Sequence, residues 1–496
     1  MGSNGLAQFV GHLSFGTRRV SVASPVRTWW TLRTDICEML TRREVFKLAI
    51  AGSCTALSEA ILPAPEGVRL KSRRFEAQAL RQFAETTHPR GIEAAASKVW
   101  HAAWRPLDHA DTMSDGAYVV ALRTALAWFE DGHTTVLPFE YTGGVPDAMK
   151  SGPFGNSLPI RVRVFDDGVW ITRAGGEAIS LLGYRILSVA GIPIEEVVAK
   201  AVSTWPGENP AWGHNWSWLL FTSTGLLRGL GVLSGPADAP VPIVADGSNG
   251  KLSVSLRTDG GGPDTLTALP RTMTLQENQA KALGRNNYVV PITEHNALYV
   301  SLDEMDDIEG YSISQFTDDV LVGMASPTTK RVIIDLRRNG GGDNYACEPL
   351  RHELTRSRFN SSGGLYVLTS PQTFSAAQNF ANRIERETLA LFVGEPTGSA
   401  QNLLGDPKIF TGSSSGITAI VSTLRWYDSG PHDKRHWIFP DLFVPTRFAD
   451  SQAGVDRSLE VALTHVANEV IGFQQHSRYF ERISQSQDWR PFWRTA

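Results

Sequence analysis

A chain of 496 residues exceeds what one hydrophobic core organises, so two or three domains are expected. Its 42% hydrophobic and 20% charged residues are the balance of a globular protein, and a net charge of −4 gives no basis for a nucleic-acid or anionic-membrane partner. Three cysteines, Cys37, Cys54 and Cys347, exclude a disulfide framework.

The N-terminal region reads as a leader. Thr41-Arg42-Arg43-Glu44-Val45-Phe46-Lys47 precedes the mildly apolar Leu48–Gly52 and a run of small residues to Pro65. A paired arginine before a weak apolar stretch resembles a twin-arginine export signal, with cleavage near Ala60 or Ala64. An ordinary basic helix start is the plainer reading. Glu59 and the arginine-rich stretch upstream fit a signal poorly, whereas a start at Met39 instead of Met1 gives a leader of normal length. No apolar run reaches the roughly 18 residues of a membrane span.

Residues 65–90 are polar, without a strong core pattern. From Gly91 to Phe129 the reading is helical, with Tyr118, Leu122, Ala125, Leu126 and Phe129 on one face and Ser114 as N-cap. Gly132 is expected to end that helix, which leaves His133 on the turn into a strand, Thr135–Leu137. Gly143–Gly155 is a linker. Strands follow at 158–164, 168–173 and 184–189, and Gly191–Val197 then turns into a helix. The run from Gly183 to Ile194 is similar to a PDZ module, though a generic β-sandwich segment gives the same alternation. Asn209–Leu233, with Trp212, Trp216 and Trp218, reads as buried packing, and 241–269 as strands around the flexible Asp259–Pro263.

From Asn296 strand and helix alternate. Strands are expected at 297–302, 332–336, 365–369, 389–393, 417–424 and 442–444, and helices over 313–324, from Ala376, and over 456–466. This pattern predicts an α/β domain with a largely parallel sheet. The expected organisation is a leader to 64, a helical region over 65–145, a β-rich middle domain over 146–290, the α/β domain over 291–470, and a tail to 496.

Two turns at strand ends carry candidate chemistry. Ser375 stands before the helix at Ala376, where free amides and the helix dipole favour an oxyanion. Ser375-x-x-Gln378 is equally a capping box, and Thr373 an alternative cap; local sequence alone favours the cap. Gly340–Gly342 lets the backbone approach a ligand and present N–H groups, or is a plain flexible turn. No Lys-Ser/Thr follows in phosphate-loop register. His133, one of twelve histidines, is a candidate general base. His432 and His436 lack a second ligand cluster, so no metal is expected.

DLRRNGGG (335–342), TSPQTFSAAQNF (369–380), VGEPTG (393–398), Pro440-Asp441 and the distant DGHT (131–134) together resemble the tail-specific, or C-terminal-processing, protease family, which includes tricorn protease and interphotoreceptor retinoid-binding protein. The likeness spans about Ala117 to Leu463. It implies a crotonase-like (Clp-protease-like) α/β catalytic domain, a serine peptidase acting on peptides or proteins, and no cofactor. It makes Ser375 the nucleophile and Gly341 and Ala376 the oxyanion-hole amides. The Ser–Lys branch has a G-K-G run where this chain has Gly398-Ser399-Ala400-Gln401, with the next lysine at Lys408. The resemblance is therefore to the tricorn-like branch, which makes His133 the base. That branch orients its histidine through a preceding serine and a late glutamate. Here Gly132 precedes His133, Thr134, Asp131, Asp428 and Asp433 are the candidates, and Asp433 is chosen.

Two other functions remain. One is a ligand-binding homologue with an inactive site, disfavoured by the retained Ser375, His133 and glycine turn. The other is a crotonase-type acyl-CoA enzyme, which needs no nucleophilic serine and fits an export signal poorly.

Overall fold

Val332, Ile333 and Ile334 are all fully buried. Successive side chains of a strand point to opposite faces, so both faces of their sheet must be covered. The computed structural model, which describes residues 72–137, 157–221, 223–258 and 266–466, shows how. These residues fall within one of the chain's two compact units, 42–496. The twin-arginine-like stretch, the linker Gly143–Gly155, the Asp259–Pro263 loop and the tail from 471 lie outside the described residues.

Six strands lie in the order Leu442–Phe443, Leu391–Gly394, Leu365–Thr369, Arg331–Asp335, Ala297–Ser301, Tyr288–Ile292. All neighbours run parallel except the last pair. Val300, Val332, Ile334, Val367 and Phe392 pack on one face against Phe316, Leu350, Leu354, Ala377, Phe380 and Ile384. Those residues come from helices Ile313–Ala325, Glu348–Arg356 and Ala376–Glu387. Tyr299, Ile333, Tyr366, Leu368 and Val393 pack on the other face with Leu459 and Ala462 of helix Arg457–Thr464. Each large side chain so buried contributes roughly 1.5–3 kcal/mol. This is the α/β sheet expected from the alternation.

The middle of the chain is β-rich, also as expected. Ile160–Phe165, Gly168–Ala174, Arg185–Val189, Val241–Gly247 and Gly250–Leu256 form one antiparallel sheet in that spatial order. Helices Ile194–Ser203, Pro210–Phe221 and Thr224–Gly229 fall between its third and fourth strands. The helical N-terminal segment shares a core with this sheet: Leu80, Trp100, Tyr118, Leu122, Leu126, Ile171, Val197, Trp212 and Phe374 belong to one cluster.

Three of the elements that the sequence reading did not place are informative. Residues Arg73–Thr87, read as patternless, form a helix capped by Ser72 that buries Glu76, Ala77, Leu80 and Ala84. Its stripe is two alanines, one leucine and a glutamate, so it carries little apolar signal. Glu76 is buried because its carboxylate accepts from Tyr118, Ser414 and Ser415. Leu275–Leu283 forms a helix with a Thr274–Glu277 capping box, and Tyr288–Ile292 is an edge strand.

Candidate active site

Arg331–Asp335 and Leu365–Thr369 are adjacent parallel strands, so the turns at their carboxyl ends meet. Asn339 joins them. Its Oδ1 accepts from the Gly341 amide at 2.9 Å, its Nδ2 donates to the Leu302 carbonyl at 2.8 Å, and its own carbonyl accepts from Phe374 N–H at 3.1 Å. Gly341 has φ +114°, and a Cβ there would lie 2.6 Å from Ser375 Cβ and 3.0 Å from the Ala376 nitrogen. Only glycine admits this approach.

Ser375 holds the N-cap position, but its side chain does not cap the helix. It precedes Ala376–Glu387 with φ 57° and ψ −126°, and its side chain makes no capping hydrogen bond. A non-glycine residue held there stores about 1–3 kcal/mol, and such strain clusters at functional sites. Thr373, the alternative cap, ties the strand ends instead, donating to the Leu336 carbonyl at 2.9 Å and accepting from Ser370 N–H at 3.1 Å. The Ser375 amide donates to Ser399 Oγ at 3.3 Å. Lys408 is exposed on strand Lys408–Thr411.

His133 reaches Ser375 from 242 positions away, with Nε2 2.9 Å from Oγ. Thr135–Leu137 pairs antiparallel with Thr418–Val421, and the Ser422 amide donates to Thr134 Oγ1 at 3.0 Å, which fixes the turn. The preceding helical stretch ends at Glu130, whose left-handed φ of 51° stops it, rather than at Gly132. Gly132 has another task. A Cβ there would meet the Phe374 ring at 2.7 Å and Trp212 Nε1 at 3.1 Å. Phe374 stacks on His133, with ring centroids 4.5 Å apart, and the imidazole is 2% exposed. Burial lowers the His133 pKa, opposed by the Asp131 and Asp406 carboxylates and the Leu404 backbone. The uncharged ring, able to accept a proton, is therefore favoured at neutral pH.

Asp131 lies beneath this ring. Its Oδ1 accepts from His133 N–H at 2.9 Å and its Oδ2 from Thr134 Oγ1 at 2.5 Å and His88 Nε2 at 3.2 Å. Arg90 N–H donates to His88 Nδ1, which fixes Nε2 as the proton-bearing nitrogen. Burial alone would raise the Asp131 carboxyl, but the His88 hydrogen bond and the nearby His133 hold it down at about 2. It stands as a carboxylate, 3.9 Å from His133 Nδ1.

Asp433, chosen as the orienting carboxylate, does not serve His133. It accepts from Ser429 Oγ at 2.6 Å and from Arg435 Nη2 at 2.7 Å, and Arg435 continues to Glu385 on the helix after Ser375. Its negative charge is compensated by the guanidinium two residues on, a pairing that a choice by chain position overlooks. Asp428 is likewise bound to Arg383. The expected oxyanion pair changes too. The Gly341 amide is taken by Asn339, whereas Ala376 N–H, at the first helical position, has no carbonyl one turn back. Gly342, at φ +136°, forms a parallel bridge with Met305 through the bonds of Gly341 and Asp343, and its own N–H has no acceptor among the described residues.

Sequence reasoning missed Glu208. An oxygen of Glu208, an oxygen of Asp131 and a ring nitrogen of His133 lie within 4.8 Å of one another, a donor set able to hold a metal ion. Asp131, however, already accepts from three donors, and His133 is engaged with Ser375.

No known protein-family model matches the chain. Among solved structures, mature CPAF matches 83% of this chain and 99% of its own, at 13% identity and a TM-score of 0.51. A CPAF mutant matches 82% and 100% at 12% identity and 0.51, and CPAF complexed with lactacystin matches 84% and 98% at 14% and 0.50. At these identities the likeness is one of fold.

Proposed function

We propose that this chain is a serine peptidase of the tail-specific protease type, cleaving peptide or protein substrates through a Ser375 acyl-enzyme with His133 as base. One observation carries the reading: a backbone-strained serine with its hydroxyl 2.9 Å from the Nε2 of a buried histidine. That distance lies within the about 2.6–3.2 Å that proton transfer requires.

In this mechanism His133 Nε2 takes the Ser375 proton as Oγ bonds to the substrate carbonyl carbon. The Ala376 and Gly342 amides receive the oxyanion, and each such donor is worth about 10²–10³ in rate. The Asp131 carboxylate stabilises the imidazolium. The proton then passes from Nε2 to the leaving amine as the C–N bond breaks, and water attacks the ester with His133 again as base. The base is histidine rather than lysine, because Ser399 occupies the corresponding stretch and binds the Ser375 amide. Export before action follows from the twin-arginine-like Thr41–Lys47, as part of the same proposal.

The test is digestion of a mixed peptide library, with the new termini read by mass spectrometry. Cleavage by the wild type and none by Ser375→Ala supports the reading. A folded wild type that cleaves nothing and resists active-serine reagents favours a ligand-binding homologue.

A further inference from the structure

We propose that Glu208 is a positioning residue for His133, accepting a hydrogen bond from the ring nitrogen that Ser375 does not use; this rests on the peptidase reading above. With Nε2 accepting from the Ser375 hydroxyl, the neutral ring carries its proton on Nδ1. Nδ1 is buried and makes no hydrogen bond of normal geometry, the Leu404 backbone giving the ring only a weaker support, and Glu208 Oε1 has no partner either. Buried polar groups left this way are costly. One is a donor, the other an acceptor, and the two residues belong to the cluster whose polar atoms lie within 4.8 Å. A small side-chain movement joins them, and in doing so fixes the ring.

Asp131 is the less suitable acceptor. Its Oδ1 stands 3.9 Å from Nδ1 and accepts the His133 backbone N–H, while Oδ2 serves Thr134 and His88. Its part is charge. Glu208 has geometry in its favour, because the surrounding framework holds it relative to the ring. Its other oxygen, Oε2, accepts from the Gly132 amide at 3.4 Å, and its carbonyl bonds His436 Nδ1 at 3.0 Å. The adjacent Asn209 donates to the Thr397 and His436 carbonyls at 3.2 and 2.6 Å and accepts from Trp212 N–H at 3.1 Å. Trp212 stacks on Phe374, and Phe374 on His133. Glu208 and the imidazole are thus tied to one rigid stack.

Glu208 also differs from Asp131 in protonation. Burial first, and then the Asp131 charge, raises its carboxyl well above the usual range, which favours the uncharged acid. It can accept from Nδ1–H without adding a second negative charge beside Asp131. The titratable groups facing His133 are Asp131, Glu208 and Asp406, and only the first and last attract the imidazolium.

The test compares Glu208→Gln and Glu208→Ala in the full chain, with thermal melting to show that both fold. Glutamine keeps a neutral carbonyl acceptor, so its kcat stays within a few-fold of wild type and the acid limb of its pH profile does not move. Alanine lets the ring drift and lowers kcat by about 10²-fold, the cost of misplacement on the order of 1 Å, with KM unchanged. A second readout needs no activity. The His133 Nδ1–H proton resonance, protected from exchange, is kept in Ser375→Ala and Glu208→Gln and lost in Glu208→Ala. Its persistence in Glu208→Ala overturns the proposal whether or not the protein hydrolyses peptides. So does a Glu208→Gln variant as slow as Glu208→Ala with a displaced acid limb, since that shows a role for charge. Absence of cleavage by the wild type alone overturns the peptidase reading and leaves the resonance to decide Glu208.

Discussion

Phe374 lies flat on Trp212, with ring centroids 3.8 Å apart and planes 8° from parallel, and His133 stacks on Phe374 as well. The stack joins helix Pro210–Phe221 to the turn that carries Ser375. Phe374→Ala should cost about 3–5 kcal/mol of stability, as buried aromatic truncations do. It should also slow turnover by the remaining folded protein, because the ring that seats His133 is gone. Chemical denaturation and turnover per folded molecule check the two parts separately.

Strain at Ser375 sets stability against activity. At φ 57° and ψ −126° glycine is the residue that rests easily. Ser375→Gly should therefore be inactive yet more stable, by about 1 kcal/mol once the extra chain entropy lost by glycine is subtracted. Paired melting curves for Ser375→Gly and Ser375→Ala read this, with the gain confined to glycine.

The acid limb of activity should report His133. Its pKa lies below the usual value, so the neutral base persists to lower pH than an ordinary histidine allows, and activity falls only as pH drops through the lowered value. Asp131 opposes that lowering. Asp131→Asn should push the limb lower still and reduce kcat, since the imidazolium loses its counter-charge. It should also destabilise the fold by about 1–3 kcal/mol, because donors from His88 and Thr134 lose their carboxylate. A pH–rate profile with a parallel denaturation series tests both.

Asp433 gives the converse case. Asp433→Ala breaks the buried bonds to Arg435 and Ser429 and should cost about 1–3 kcal/mol, with Glu385 still holding Arg435. Turnover per active site, titrated with an active-serine reagent, should stay at the wild-type value.

Gly341→Ala should abolish activity. Its Cβ would stand 2.6 Å from Ser375 Cβ at a φ of +114°, so either the serine or the turn must move. Gly416→Ala, at φ +71° with open space around it, supplies a control that strains the backbone and leaves turnover intact. Activity per folded molecule separates the two.

The parallel sheet was legible because Val332–Ile334 and Leu365–Leu368 are runs of consecutive apolar residues, which a strand covered on both faces permits. The helix Arg73–Thr87 was not, because its stripe holds a single leucine beside two alanines and a buried glutamate. Ser375 and His133 were legible as turn residues, and family-like spacing raised them above the cap that local pattern favoured. The partners of His133 were hidden for a different reason. Glu208 sits in a polar loop without a motif, and Asp433 lies next to an arginine that claims it. The occupied Gly341 amide depends on one Asn339 rotamer, which no spacing reveals.

The central claim is that His133 activates Ser375 for covalent chemistry, and intact-mass analysis after treatment with a fluorophosphonate tests it most directly. One adduct per chain on Ser375, formed faster as pH rises through the His133 pKa and nearly absent in His133→Ala, is the predicted result. A folded wild type that takes up no adduct, or labels equally well without His133, would contradict it.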